Sequence, residues 1–166
     1  AMARTMETRR IRHRLLPARW PTQADRILDM AKIMTAVNPP TLAKAVGYSH
    51  AWEVQGGKIL YLAGQVAFDK DSKVVGKRDI VAQFRQICEN LRAVLGSRGG
   101  QMTDIVKLNL FVLDKADYQA HGKDIGAVYR EYFGKHYPAM TLVEVKGLYD
   151  EDQGCLLDIE GVAILD

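Results

Sequence analysis

Apolar residues recur with a helical period over residues 79–97, where Ile80, Phe84, Ile87, Leu91, Val94 and Leu95 fall on one stripe. Gly96, Gly99 and Gly100 mark the end of that helix. The same period returns over residues 115–134, through Tyr118, Ile125, Val128, Tyr129, Tyr132 and Phe133, and Gly134 stops it. Between and around these segments the pattern turns strand-like. Residues 48–55 and 58–67 read as two strands joined by Gly56-Gly57, a short hairpin signal. Residues 68–77 are polar and loop-like. A Val- and Leu-rich strand is expected at 104–113, and two more at about 139–146 and 155–165. The predicted order is β-β-α-β-α-β-β, an α+β chain without internal sequence repeats.

Upstream the pattern fades. Residues 1–20 carry six arginines and Pro17 and read as a solvated basic tail, with an interaction arm as the sharper alternative. A short helix is predicted over 22–35, with Thr22 as its cap, Asp25 in its first turn and Asn38-Pro39-Pro40 closing it. The chain thus divides into an N-terminal extension, 1–37, and a domain, 38–166.

Two amphipathic helices can cover one face of the sheet. The run Val106-Lys107-Leu108-Asn109-Leu110-Phe111-Val112-Leu113 is apolar on both sides, and so is the last strand apart from its carboxylates. A monomer would leave one face wet. Covering roughly 800 Å² per partner corresponds to a standard interface, so the pattern predicts an obligate homo-oligomer.

Charge narrows the function classes. Residues 1–36 hold eight basic and three acidic residues, a net of +5, whereas the remainder holds fifteen basic and seventeen acidic, a net of −2. The domain therefore lacks the basic face of a nucleic-acid binder, although the tail could attach to a polyanion in a salt-sensitive way. No apolar run approaches the roughly 20 residues of a membrane span, and the N-terminus lacks the apolar core of a secretory signal. Cys88 and Cys155 do not form a CxxC pair and read as apolar fillers in a reducing cytoplasm. His50, His121 and His136 have no metal-ligand spacing, and neither a phosphate-binding glycine loop nor a Gly-x-Ser-x-Gly elbow occurs. No metal or cofactor is expected.

The candidate chemistry lies near the C-terminus. In the last strand Asp158 and Glu160 are two residues apart, so they share one face. A carboxylate in an apolar strand has to be solvated, paired or put to use. Asp158 reads as a solvated or paired strand carboxylate. Glu160 has two readings: it orients or deprotonates a water, or it is a structural partner across a subunit boundary.

Several segments, in order, resemble the Rid family (YjgF-like, also labelled endoribonuclease L-PSP). They are Gly47-Tyr48-Ser49-His50-Ala51, Tyr61-Leu62-Ala63-Gly64-Gln65, Asp104-Ile105-Val106-Lys107, Tyr129-Arg130-Glu131-Tyr132-Phe133, Pro138-Ala139 and Ile159-Glu160-Gly161-Val162-Ala163. The resemblance implies a chorismate-mutase-like fold of the bacillus type, with two helices on one face of the sheet, assembled as a homotrimer with ligand clefts between subunits. It also implies a cofactor-free hydrolysis of imines or enamines such as 2-aminoacrylate, with an arginine on the substrate carboxylate and a glutamate, here Glu160, positioning water.

This chain departs from the pattern at the anchoring positions. Met140 stands where the family has its arginine, Ala63 where a small polar residue precedes the Gly-Gln pair, and Gly126 where an asparagine often faces the pocket. Tyr48 and Glu160 remain, and the backbone N–H of Leu142 is a candidate neutral donor. Removing the cation from a desolvated carboxylate pair costs about 2–5 kcal/mol, so efficient turnover of 2-aminoacrylate is not expected. Lys146 and Arg130 are the conceivable replacements. The sequence reading is a cytoplasmic hydrolase for a small imine, enamine or amide-like metabolite, with Glu160 catalytic and Tyr48, Ala63, Gly126, Met140 and Leu142 contacting substrate. The alternative is a non-catalytic trimeric binder of small molecules.

Overall fold

A computed structural model describes residues 31–166. Four strands form the main sheet: β3 (Lys58–Gln65), β4 (Ile105–Val112), β5 (Ala139–Glu144) and β6 (Leu157–Leu165), in the order β3-β6-β4-β5. Only the β4–β5 pair is parallel, and helices supply its crossover. Two shorter strands, β1 (Ile33–Val37) and β2 (Ala51–Gln55), make a separate antiparallel ribbon. The α+β class and the two helical segments on one face agree with the sequence pattern.

Helix α1 (Ile80–Gly96) follows from its stripe. Ile80, Phe84, Ile87, Cys88, Leu91 and Leu95 are buried against the sheet, while Val94 is largely exposed. Asp79 caps it by accepting from the N–H groups of Val81 and Ala82 at 3.0 Å each, a contact worth about 1 kcal/mol. The second helical segment is two helices, α2 (Lys115–Ala120) and α3 (Gly122–Phe133). The break falls at His121, before Gly122, where helix propensity is lowest. Ile125, Val128, Tyr129 and Phe133 bury the inner stripe of α3.

Strand register separates the two faces of the sheet. Leu108, Leu110 and Val112 of β4, with Leu157 and Ile159 of β6, point into the helix-covered core. Lys107, Asn109 and Phe111 of β4 and Asp158, Glu160 and Val162 of β6 lie on the opposite, open face. There Ile59 is 61% exposed and Tyr61 77% exposed. The open side is mixed rather than apolar, with Ile59, Tyr61, Phe111 and Val162 beside Lys107, Asn109, Asp158 and Glu160, and it is left uncovered in the single chain.

The N-terminal part departs from the sequence reading. Residues 33–35, the end of the expected helix 22–35, belong to strand β1, and residues 31 and 32 are in no helix; residues 22–30 of that helix and the expected tail 1–20 lie outside the described residues, which begin at 31. The boundary at 37/38 also cuts through a folded ribbon, since β1 pairs with β2 from Ile33↔Gln55 to Val37↔Ala51. Lys32 fastens this ribbon to the main body. Its Nζ lies 2.7 Å from the Asp104 carboxylate, which is only 5% exposed. Its N–H donates to Asp166 at 3.1 Å.

The expected hairpin across Gly56-Gly57 is likewise replaced. Among the described residues β2 pairs with β1 and β3 pairs with β6. Both glycines have positive φ, 69° and 73°, and turn the chain from one sheet into the other. At Gly57 an added Cβ would sit 2.7 Å from Ile164 and from the Leu165 carbonyl. Tight packing against the end of β6 therefore sets the course of the chain there.

Candidate functional site

The expected site residues fall into three concavities of the single chain. The first lies on the open face of the sheet. Asn109↔Glu160 is a register pair of β4 and β6, and the Asn109 Nδ2 donates to a Glu160 oxygen at 2.9 Å. Beside it the β3–β6 register slips between Leu62 and Gln65. Ala63 and Gly64 form this irregularity, as expected of a bulge that re-aims side chains. Glu160, Ala63, Tyr61, Lys107, Asn109 and Val162 contribute to a cavity of about 350 Å³. Lys107 Nζ donates to Thr141 Oγ1 at 2.9 Å, extending the polar row towards β5.

Asp158 is neither well solvated nor paired, contrary to both expectations for it. One of its carboxylate oxygens, Oδ1, is buried without a hydrogen-bond partner among the described residues. A Cβ on Gly64 would lie 2.6 Å from both carboxylate oxygens, so the bulge glycine is what lets the strands close over this group. Burial, with the nearby Glu160 and Asp150 charges adding to it, pushes the Asp158 carboxyl above the ordinary range.

The second concavity, about 300 Å³, lies on the helix side of the sheet. Met140 of β5 and Gly126 of α3 line it, together with Tyr118, Tyr129, Arg130 and Tyr137. Leu142, two residues beyond Met140, points the same way but packs against the core. The aromatic wall is ordered: the Tyr129 and Tyr137 rings are parallel with centroids 5.7 Å apart, and Phe133 stacks on Tyr129 at 4.4 Å. Tyr129 donates to the His136 carbonyl at 2.6 Å, so its hydroxyl is engaged. Burial pushes the Tyr118 hydroxyl up to about 12, so it is a proton-bearing donor at neutral pH.

Tyr48 lies in the third concavity, about 450 Å³, formed by the loop before β2 with Asn38, Pro39, Lys44, His50 and Tyr137. Its ring meets His50 edge-on at 5.3 Å. His50 in turn braces the loop, its N–H donating to Asn38 Oδ1 at 2.9 Å and its Nε2 lying 2.8 Å from the Ala43 carbonyl. The Ser49 N–H to Pro138 carbonyl bond, 3.0 Å, ties the loop to the entry of β5.

The chain therefore brings Ala63 to Glu160 and Gly126 to Met140, but leaves these two pairs on opposite faces of the sheet, with Tyr48 in a third place. Sequence reading missed Tyr118, Tyr129 and Tyr137 as lining groups, and Lys107 and Asn109 as neighbours of Glu160. The signal for Tyr129 and Arg130 was present: they stand three and four residues after Gly126, hence on its side of the helix. That for Asn109 needed the strand register. Of the two conceivable replacement cations, Arg130 lines the Met140 cavity and Lys146 does not. Cys88 and Cys155 are buried, and burial raises the Cys88 thiol to about 12, so it is a filler rather than a nucleophile. Among the described residues no cluster of His, Cys, Asp or Glu has the makings of a metal site, and no helix is long and apolar enough to cross a membrane.

Comparison with known proteins gives one consistent result. The family model described as Endoribonuclease L-PSP matches residues 39–165. A RutC family protein of Pyrococcus horikoshii is 33% identical over 135 residues, covering 81% of this chain and 98% of the relative. The 3-aminoacrylate deaminase RutC of Acinetobacter baylyi is 34% identical over 131 residues, covering 79% and 94%. Among solved structures, YyfB of Yersinia pestis, of the conserved Rid protein family, superimposes with a TM-score of 0.69 at 34% identity, covering 80% of this chain and 98% of that one. With the family match spanning most of the chain and falling on the segments that build the sheet and its cavities, this chain belongs to the Endoribonuclease L-PSP family, the family of the Rid and RutC proteins.

Proposed function

We propose that the protein is a cytoplasmic, cofactor-independent hydrolase that releases ammonia from a small imine or enamine, in a cleft completed between subunits of a homotrimer. The observation that carries the reading is the Glu160 carboxylate, fixed by Asn109 at 2.9 Å on a sheet face that the single chain leaves open. The likeness to a 3-aminoacrylate deaminase sets the reaction class. In the assembly, the open face of one subunit, bearing Glu160 and Ala63, meets the helix-side cavity of its neighbour, bearing Met140 and Gly126, with Tyr48 against the ligand. Two half-sites that lie on opposite faces of one sheet are brought together in this way.

The step balances without any further reagent. An enamine first tautomerises to its imine; Glu160 then takes a proton from a water as the water oxygen bonds to the C=N carbon, and passes that proton to the nitrogen. The carbinolamine then collapses, with C=O forming, the C–N bond breaking and the proton leaving on ammonia. Met140 supplies no charge in place of the family arginine, so turnover of 2-aminoacrylate is inefficient. The decisive measurement is ammonia release from a panel of imines generated in situ. Glu160→Gln is expected to lower it by about 10²-fold or more, and equal rates for the two proteins would remove Glu160 from the mechanism. A non-catalytic trimeric binder is the second reading, favoured by the apolar Met140 floor. It calls for ligand-dependent thermal stabilisation with no ammonia release from any member of the panel.

A further inference from the structure

The helix-side cavity holds a charge that this reaction does not use. Arg130 stands one turn beyond Gly126 on α3, and a Cβ on Gly126 would meet the Arg130 Nη1 at 3.5 Å. The guanidinium thus lies over the glycine, in the room that a larger residue there would claim. The nearby arginines of α1 are engaged, Arg85 with Glu131 and Arg92 with Glu89. Arg130 enters none of the ion pairs among the described residues. Among the described residues it is also the one cation lining this cavity, and no carboxylate among them lines it. An unpaired positive charge beside low-dielectric aromatic walls attracts an anion.

We propose that Arg130 is the anion-holding residue of this cavity and that its ligand is a planar carboxylate larger than a three-carbon acid, the apolar body lying along the Tyr129–Tyr137 wall. A guanidinium grips a carboxylate through two parallel N–H bonds, which an ammonium cannot do. The cavity of about 300 Å³ has room for about ten water-sized groups at roughly 30 Å³ each, so a three-carbon acid leaves much of it filled with solvent. Met140 provides a floor that adapts to a ring or a conjugated chain. The charge enters from the helix wall, whereas the arginine that Met140 replaces would have entered from the strand. This deepens the proposed function by naming a substrate class, and it rests on that reading only in taking the cavity as the ligand-gripping half of the cleft.

The test is calorimetric titration of the full chain with benzoate, its neutral isostere benzamide, and propionate. Benzoate is expected to bind at least about tenfold more tightly than benzamide, and more tightly than propionate; added salt should weaken benzoate alone. Arg130→Gln, at an exposed position of α3, should bring benzoate down to the benzamide level and leave benzamide unchanged. Gly126→Asn, which fills space beside the guanidinium in the cavity, should weaken benzoate binding as well. The proposal is overturned if benzoate shows no binding in the millimolar range, no preference over benzamide, or undiminished affinity in Arg130→Gln. Glu160→Gln serves to tell the two failures apart. Arg130-dependent benzoate binding without any imine hydrolysis defeats the hydrolase reading alone. Glu160-dependent hydrolysis with benzoate affinity indifferent to Arg130 defeats this inference alone.

Discussion

Asp158 illustrates how much one glycine decides at the scale of a residue. Because Gly64 has no side chain, the bulge closes to within contact of the carboxylate, and one of its oxygens is buried without a partner among the described residues. The group is held above its ordinary pKa by that burial. The sign of the linkage follows. A carboxyl whose folded pKa is raised contributes stability below its unfolded pKa of about 3.9 and loses it as pH rises through the folded value. Asp158→Asn, which cannot ionise, is therefore expected to raise the melting temperature at pH 7 and to leave it unchanged near pH 3. Thermal unfolding at the two pH values checks this; an equal effect at both would mean that charge is not the cause. Met140 and Gly126 show the complementary case. Each looks like a loss when read alone; in the role proposed for Arg130, they would exchange a strand-borne cation for a helix-borne one.

Single elements show where pattern was enough and where it was not. Helix α1 was legible because its apolar stripe and its terminal glycines agree; its Asp79 cap was not read in advance. Strands β4, β5 and β6 were legible because each is a short run rich in Val, Ile and Leu between turn or loop segments. The β1–β2 ribbon was not. Ile33, Met34 and Val37 fit a helix stripe as well as a strand, and what fixes them is cross-strand pairing and the Lys32–Asp104 contact, neither of which has a local signature. Gly56-Gly57 was read as a hairpin turn because two residues of positive φ suit one. Their role here is a bend under close packing, which depends on residues more than 100 positions away. Gly57→Ala tests this. It adds a Cβ at 2.7 Å from Ile164 and Leu165 and forces φ of 73° on a residue with a side chain, so a loss of about 1–3 kcal/mol is expected in denaturant unfolding. Gly122→Ala, whose Cβ meets nothing within 4 Å, is the control and should be neutral or slightly stabilising.

For the whole molecule, the relevant fact is that one face of the sheet is finished and the other is not. The helices bury Leu108, Leu110, Val112, Leu157 and Ile159, while Ile59, Tyr61 and Val143 remain exposed around Glu160. The grouping of Glu160 with Ala63, and of Gly126 with Met140, needed the strand register and the packing of α3 against β5. Their separation onto two faces was not legible either, because it depends on which side the helices cover. The proposed trimer joins them, and it predicts a sedimentation mass three times the 18.6 kDa of the chain. Tyr61→Lys, at a side chain 77% exposed in the single chain, should shift the protein to monomer and abolish ammonia release while leaving the circular dichroism of the helices intact. A variant that remains trimeric would move the interface away from this face.

Tyr137 belongs to two of the concavities at once, the one behind Tyr48 and the one above Met140. Its carbonyl is fastened to the Trp52 indole at 3.0 Å, and its successor, Pro138, to Ser49. The ring is thus a partition with guests possible on either side, anchored through its backbone to the first strands of the chain. Whatever settles in one chamber leans on the wall of the other, so the two will not fill independently.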